Sequence, residues 1–353
     1  MVKIKKTKVL ILQEFLPHYR VEIFNKLAEF VDLTVSYSAG KMPEGANFEI
    51  MYIPQFRIRH KFHKKNIYAL AKKFDVVICL HDFTYILNRL LYILPHKYKL
   101  IFWGIGVSAG YSVRYDGNQN FFKKSKRSME KADALLFYSS YPKQKYASLG
   151  IDDEKMFVAN NTVKVLPIET AEKDNILFIG SLYREKKIFE LLDGYLKAYK
   201  TNKDICKLVI IGDGDEYTNI KQWTSDNQLT EKVVLTGGIY EEEILAKYFS
   251  SAIMCISPDQ AGLSVLKSMG YGVPYVTHKN AITGGEIFNI HHNIDGILMQ
   301  DFNEIEKIIL DASSNPEKYL KFGQAAKKYY DENRTVDNMV KGFTDAIKYV
   351  IRK

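Results

Sequence analysis

The sequence PDQAGLSVLKSMGYGVP, residues 258–274, decides the fold that we predict for this chain. An apolar run just before it, residues 253–256, is typical of a short buried strand. After Gly262, apolar residues fall at 263, 265, 266 and 269, a spacing that predicts one face of a short helix. Gly270 and Gly272 end that helix, and a further strand follows. A strand, a glycine turn and a helix with a bare N-terminus form an anion site, so we expect a phosphate there.

The same alternation of strands and helices extends in both directions from this stretch. Residues 38–66 are the exception, and we expect them to be irregular because Pro43 and Pro54 discourage long elements. Alternation of this kind predicts an α/β protein with two doubly wound, Rossmann-like domains facing a cleft. We place the first domain at residues 1–168, a linker around 165–173 and the second domain at 172–332. The last helix, about 336–353, is expected to pack back on the first domain.

Length and composition agree with two globular domains. The chain has 353 residues, of which 46% are hydrophobic and 26% charged, and no apolar run approaches the ~18 residues of a membrane helix. The three cysteines, at 79, 206 and 255, are far apart and flanked by apolar residues. They indicate buried thiols in a reducing cytoplasm rather than disulfides or a metal site.

Positive charge is concentrated in the first half of the chain. Residues 1–170 hold 27 Lys and Arg against 15 Asp and Glu, whereas the remainder holds 23 against 26. The densest clusters lie at 57–65 and 123–127. They form either a solvated surface or a contact with an anionic membrane face, and the interleaved Phe56, Phe62 and Tyr68 favour the membrane. No nucleic-acid-binding motif is present, so nucleic acid is not an expected partner.

Several motifs in order carry a resemblance to a known family. In the second half they are LFIGSLYREK at 177–186, VIIGDG at 209–214, VLTGG at 234–238, the opening stretch, GGE at 284–286 and DG at 295–296. In the first half they are PHYRVEIF at 17–24, WGIG at 103–106 and NNT at 160–162. The chain resembles the family-4 (group 1) glycosyltransferases of GT-B fold, and its first half resembles their capsule and O-antigen members.

The resemblance implies a function. It implies retaining transfer of a sugar from a nucleotide-diphosphate donor to a glycan acceptor, which we expect to be lipid-linked, in surface polysaccharide biosynthesis. It implies no cofactor and no metal, since the nucleotide sugar is a substrate. We expect a cytoplasmic protein that contacts the inner face of the cytoplasmic membrane through its basic first domain.

The resemblance also assigns catalytic residues. The family's diphosphate-binding Lys falls on Lys186, whereas its Arg position, after Gly180, is Ser181 here, so Arg184 is expected to substitute for that Arg. Clustered cations at a helix start oppose the helix dipole, and an anionic ligand would explain them. The remaining catalytic candidates are His81 and Asp259. His81, at the end of its strand, either matches the family histidine that hydrogen-bonds the transferred sugar or is an ordinary packed or surface histidine.

The family's pair of glutamates separated by seven residues falls on Asp259 and Lys267. The first is shortened and the second is reversed in charge, so Lys267 either reaches a donor phosphate or sugar carboxylate or pairs structurally with Asp259. Glu286 either supplies the missing carboxylate or simply begins a helix. The other donor-binding residues that we expect are Gly180, Ser181, Gly238, Ile239, Gly262, Leu263 and Ser264.

Acceptor-binding residues are expected in the first domain, at His18, Tyr19, Arg20, Gly104 and Gly106. For the two glycines the alternative is close packing of a strand against a loop.

Other function classes remain open or are not expected. A catalytically degenerate GT-B protein that binds nucleotide or glycan is one alternative, and a GT-B sugar-nucleotide 2-epimerase is the other. The turn at 212–214 lacks the third glycine and the later acidic residue of a dinucleotide site, so a dehydrogenase is not expected.

Overall fold

The structure is a computed structural model that describes residues 6–58, 61–64, 66–81, 85–110, 113–118, 120–169 and 171–353. Its strands, in chain order, are β1 (Lys8–Leu12), β2 (Asp32–Tyr37), β3 (Glu49–Tyr52), β4 (Gln55–Ile58), β5 (Lys61–Lys64), β6 (Val76–Cys79), β7 (Lys99–Gly104), β8 (Ala134–Phe137), β9 (Met156–Val158), β10 (Asn175–Ile179), β11 (Lys207–Ile211), β12 (Val233–Gly237), β13 (Ala252–Ile256), β14 (Gln260–Ala261), β15 (Tyr275–His278), β16 (Ile282–Thr283) and β17 (Gly296–Met299). Its helices are α1 (His18–Ala28), α2 (Ile67–Ala71), α3 (Leu90–Ile93), α4 (Asn120–Met129), α5 (Ser140–Ser148), α6 (Ile188–Thr201), α7 (Tyr217–Asp226), α8 (Glu242–Ser251), α9 (Leu263–Gly270), α10 (Glu304–Ser314), α11 (Pro316–Asn333) and α12 (Val336–Arg352).

The chain divides into two compact units. The first unit takes the described residues within 1–108, 116–161 and 335–353, and the second takes those within 109–115 and 162–334. We assigned residues 162–168 to the first domain, but they pack in the second unit. There the Tyr330 hydroxyl donates to the Val163 carbonyl oxygen at 2.5 Å, and the Leu166 amide donates to the Tyr271 hydroxyl at 3.2 Å.

The first unit is built on a seven-stranded parallel sheet with the order β3-β2-β1-β6-β7-β8-β9. Alternate residues of its strands, such as Val9 and Ile11 of β1, join α1 and α12 in one core on one face of the sheet. Helix α12 approaches β9 so closely that a β carbon on Gly342 would lie 2.4 Å from the Val158 carbonyl oxygen. The last helix is therefore part of this unit's core.

The second unit contains a six-stranded parallel sheet with the order β12-β11-β10-β13-β15-β17. Its strands are buried on both faces. In β10, Ile176 and Phe178 face the core with α6, α10 and α11, whereas Leu177 faces the core with α8 and α9. The strand order reverses between β10 and β13, and ligands of doubly wound sheets bind outside the carboxyl ends of the strands at this switch point.

The predicted α/β architecture with two parallel sheets is confirmed. The segment 38–66 is not wholly irregular, as we had expected. It contains β3, which extends the first sheet at its edge, and an antiparallel hairpin of β4 and β5. Strand β17 was also missed, because its four residues follow directly on the polar segment HHNID.

Candidate functional site

The switch point of the second unit brings together the turn after β10 and the start of α9. Gly180 follows β10 with a φ of +149°, which favours glycine, and leads into a short 3₁₀ turn at Arg184–Lys186. The Tyr183 hydroxyl donates to Gln260 Oε1 at 3.0 Å, three residues before the first residue of α9. The stretch that we quoted first and the cationic turn are therefore neighbours.

Lys186 points into the protein. Its side chain is only 8% exposed, and a β carbon on Gly180 would lie 3.1 Å from its amine. Burial lowers the pKa of this amine from 10.5 to about 8, and no carboxylate of the described residues forms an ion pair with it. A buried cation without an anionic partner is unfavourable, since the lowered pKa corresponds to a cost on the order of 3 kcal/mol at neutral pH.

Helix α9 supplies the second feature of this site. Its N-cap, Gly262, has no side-chain hydrogen bond to the helix, and a β carbon on it would meet no atom within 4 Å. Leu263 and Ser264 occupy the first helical positions, where backbone N–H groups lack partners within the helix. The Ser264 hydroxyl lies 2.8 Å from the Tyr275 hydroxyl. The open N-terminus and the buried amine together suit an anionic group.

Arg184 and Ser181 have a different placement. Both side chains are exposed. Helix α6 begins only at Ile188, after Lys187 adopts a φ of +56°, so Arg184 and Lys186 belong to a separate turn. Arg184 and Lys186 precede the first turn of α6, so the interaction with its dipole stays a prediction. The case for an anion rests on the burial of Lys186.

Lys267 does not pair with Asp259, which was one of our alternatives. Its amine forms an ion pair with Glu242 in the first turn of α8, and the Tyr271 hydroxyl donates to the other Glu242 oxygen at 2.6 Å. This network joins α8 to α9. Lys267 therefore has a structural partner that sequence spacing did not indicate.

Two carboxylates that we expected at the site, Asp259 and Glu286, are buried. Asp259 is 5% exposed, and both of its oxygens accept hydrogen bonds from Arg114. Glu286 is 7% exposed, and its Oε2 accepts from the Gly284 amide at 3.0 Å. Sequence reasoning missed Arg114, which lies 145 positions before Asp259 in the chain.

The glycines after β11 and β12 divide into two kinds. Gly212 is held by packing, because a β carbon there would lie 2.0 Å from the Gly180 carbonyl oxygen. Gly238 is exposed and Ile239 is half-buried, and they follow Gly237, whose φ is +77°. The first turn is therefore structural, whereas the second leaves backbone open at the edge of the sheet.

In the first unit, three of our acceptor candidates serve packing. Arg20 is 5% exposed, and its guanidinium lies 5.1 Å from the Trp103 ring centroid and donates to the Tyr138 hydroxyl at 3.3 Å. A β carbon on Gly106 would lie 2.6 Å from the Phe137 ring, and one on Gly104 would lie 3.2 Å from Leu80.

His81 follows β6 and lies against helix α4. Its Nε2 is 2.6 Å from the Ser128 hydroxyl, and that hydroxyl donates its single hydrogen to the Ser125 carbonyl oxygen at 2.9 Å. His81 Nε2 therefore carries a hydrogen and donates it to the Ser128 hydroxyl oxygen. His18 and Tyr19, the remaining candidates, begin α1 with His18 exposed and the two rings in edge contact.

Comparison with known proteins identifies the family. Residues 161–329 match the family described as Glycosyl transferases group 1. The second unit belongs to this family. The match covers the turn of Lys186, helix α9 and the Glu286 turn, and it confirms the group 1 glycosyltransferase resemblance of the sequence.

Relatives and solved structures agree with this family. The chain is 26% identical over 185 residues to alpha-monoglucosyldiacylglycerol synthase of Streptococcus pneumoniae, covering 47% of this chain and 40% of that protein. It is 24% identical over 221 residues to an uncharacterized glycosyltransferase of Methanocaldococcus jannaschii, covering 60% and 51%. The chain thus spans about half the length of the curated relatives it matches.

The fold matches GT-B glycosyltransferase structures. The crystal structure of Anabaena HepE in complex with UDP and glucose superposes with a TM-score of 0.70 at 13% identity, covering 97% of this chain and 99% of that one. The group 1 glycosyltransferase unit described above therefore sits in a chain with the two-sheet architecture of that structure.

Among the residues that the structure describes, no group of three His, Cys, Asp or Glu side chains is arranged to hold a metal ion. No helix in the described ranges has the length and apolar character needed to span a membrane.

Proposed function

We propose that the chain is a retaining glycosyltransferase that takes a sugar from a UDP-sugar and transfers it to an acceptor hydroxyl. The observation that carries the proposal is the buried amine of Lys186, which lacks a carboxylate partner among the described residues. The turn that carries Lys186 is hydrogen-bonded, through Tyr183, to Gln260, three residues before the first residue of α9. The family match and the UDP and glucose bound in HepE support the choice of donor.

The chemistry follows from where charge develops. As the bond between the sugar and the diphosphate breaks, negative charge grows on the departing phosphate oxygens. A fixed ammonium at Lys186 and the unpaired amides at Leu263 and Ser264 would stabilise that charge without reorganising. Arg184, exposed at the same turn, would add a second cation. Retention is implied by the family, in which the leaving phosphate accepts the acceptor proton on the same face of the sugar.

The acceptor that we propose is a lipid-linked glycan at the inner membrane face. Helix α4 exposes Lys123, Lys124 and Arg127, which suit an anionic surface. The cluster at 57–65 would add to this patch, but the side chains of that run lie outside the described residues. The name of the pneumococcal relative specifies a glucosylated diacylglycerol.

A panel of UDP-sugars tests the donor assignment. A donor present at 100 times its dissociation constant should stabilise the protein by about 2.7 kcal/mol, measured by thermal unfolding. Release of UDP should follow when an acceptor is supplied. Absence of both stabilisation and UDP release across the panel would reject the proposal.

Vesicle sedimentation tests the membrane contact separately. Phosphatidylglycerol vesicles should pull down the protein and phosphatidylcholine vesicles should not. The double variant K124Q/R127Q should lose part of this binding while UDP binding is unchanged. Equal sedimentation with both lipids would reject an electrostatic contact.

One observation favours the degenerate alternative. Position 267, where the family has a carboxylate, is a lysine here, and its amine forms an ion pair with Glu242. A protein that binds UDP but neither hydrolyses nor transfers any UDP-sugar would select this second function.

A further inference from the structure

Arg114 is anchored in the second unit by three hydrogen bonds. Its two terminal nitrogens donate to the two oxygens of Asp259, each at 3.2 Å, and Nη1 also donates to the Asn280 carbonyl oxygen at 3.0 Å. A guanidinium has five N–H groups in a planar fork, and these bonds use three of them. Its side chain is 49% exposed, so part of the fork faces solvent.

The backbone at Arg114 is held in an uncommon conformation. Its φ is +52°, a left-handed value that is unfavourable for residues with a β carbon. The next residue, Tyr115, packs its ring edge-on against Phe288, with centroids 5.2 Å apart. Such conformations persist where surrounding contacts determine them, and they are concentrated at ligand-binding positions.

Topology separates two sides of the phosphate site. Lys186 follows β10 and α9 follows β13, so a diphosphate between them lies over the switch point. On one side the ends of β11 and β12 present glycine backbone and Ile239. On the other side, after β13 and β15, lie Asp259 with Arg114 and the turn of Glu286.

The base and the sugar of a nucleotide sugar differ in polarity, as do the two sides of this site. A base is flat, with a few polar atoms at its edge, and suits apolar surface and backbone groups. A sugar presents several hydroxyls, each of which both donates and accepts hydrogen bonds. A guanidinium beside a carboxylate offers donors and acceptors together, and a second buried carboxylate at Glu286 lies in the same part of the unit.

We propose that Arg114 determines sugar specificity. The proposal rests on the proposed UDP-sugar function and adds a residue that no motif indicated. Asp259 holds the guanidinium in a fixed orientation, and the N–H groups that remain donate to hydroxyl oxygens of the transferred sugar. Arg114 thus contacts the sugar and not the UDP portion of the donor.

Comparing UDP with UDP-sugars tests this directly. Wild type and Arg114→Gln are titrated with UDP and with UDP-glucose, UDP-galactose, UDP-N-acetylglucosamine and UDP-glucuronic acid. We expect Arg114→Gln to weaken binding of the best sugar donor by about tenfold or more, the loss typical of a hydrogen bond to a charged group. Binding of UDP itself should change by less than about twofold, because UDP lacks the sugar to which Arg114 would donate.

Two further variants keep the test decisive. Lys318→Gln is the matched control, since Lys318 pairs with Asp311 at 2.7 Å elsewhere in the same unit, and it should leave both affinities unchanged. If Arg114→Gln unfolds, Arg114→Lys keeps the charge but not the planar fork, and it should show the same selective loss in smaller measure.

The possible outcomes separate this proposal from the function on which it rests. If wild type binds neither UDP nor any UDP-sugar, the proposed function fails. If wild type binds them and the Arg114 variants change UDP and UDP-sugar affinity by the same factor, or change neither, the sugar-specificity role is overturned while the function stands.

Discussion

The carboxyl edges of the two parallel sheets differ in how they use their charged residues. In the first unit Arg20, in the first turn of α1, contacts aromatic rings and donates to a tyrosine hydroxyl. In the second unit Lys186, in the turn after β10, is buried to a similar degree, lies 5.5 Å from the Tyr183 ring centroid and has no carboxylate partner among the described residues. Among the described residues, the buried cation of the first unit thus has several ring contacts and a hydrogen bond to a hydroxyl, whereas that of the second unit has only a ring contact.

This difference teaches how a packing position can be told from a ligand position. A buried charge that the protein satisfies contributes to the fold. One that the protein leaves unpaired lowers stability and is retained where a ligand supplies the missing partner. On this basis we expect Lys186 to be a ligand position and Gly106 and Lys267 to be packing positions.

The largest effect should come from Lys186→Met. Removing the amine deletes the partner of the diphosphate, so UDP binding should weaken by at least about a hundredfold, measured by calorimetry. At pH 7 the free protein should be as stable as wild type or more stable, because a costly buried charge is gone. Lys187→Met, at the exposed next position, is the control and should bind UDP normally. Normal binding by the Lys186 variant would place the phosphate elsewhere.

Gly106→Ala should affect stability without affecting UDP. The new methyl group would lie 2.6 Å from the Phe137 ring, and the alanine backbone would have to keep a φ of +75°. We therefore expect a loss of about 2–4 kcal/mol in the free energy of unfolding. Gly45 has the same φ of +75° with no atom within 4 Å, so Gly45→Ala isolates the backbone contribution and should cost about 1 kcal/mol. Equal losses in the two variants would show that packing at Gly106 is unimportant.

Lys267→Met should have the smallest effect. It removes a partly buried ion pair with Glu242, so we expect a loss of about 1 kcal/mol in chemical denaturation and less than a threefold change in UDP affinity. The double variant with Glu242→Gln should recover part of that stability. A tenfold loss of UDP affinity in a folded Lys267 variant would show instead that Lys267 contacts the ligand.

Much of this fold follows from local pattern. Strands β10 and β13 contain continuous apolar runs, Gly180 follows β10 directly and Gly262 precedes α9, so sequence alone places Gly180, Lys186 and the start of α9 at one edge. Short edge strands such as β3 escape this reasoning, because only part of such a strand is buried.

Partners far apart in the chain could not be predicted. Glu242 lies 25 positions before Lys267, and Arg114 lies 145 before Asp259. Sequence spacing reports neighbours on one element, whereas these pairs join different elements. The sequence shows that Lys267 reverses the charge of the family position, but it does not show that Lys267 pairs with Glu242.

The proton on Lys186 offers the most direct test of the central claim, that a diphosphate pairs with this amine. The unfolded chain keeps this proton to about pH 10.5 and the free folded protein loses it above about 8, so the cost of burying the charge is present below pH 8 and disappears as pH rises from 8 to 10.5. A bound diphosphate stabilises the ammonium and raises its pKa, so UDP affinity should fall as pH rises above 8.

Calorimetry of UDP binding near pH 8.5, in two buffers of different ionisation enthalpy, measures the linked proton directly. The account predicts net proton uptake by wild type, and its loss in any residual binding by Lys186→Met. Tight UDP binding by wild type with no proton uptake, or the same uptake in the variant, would contradict it.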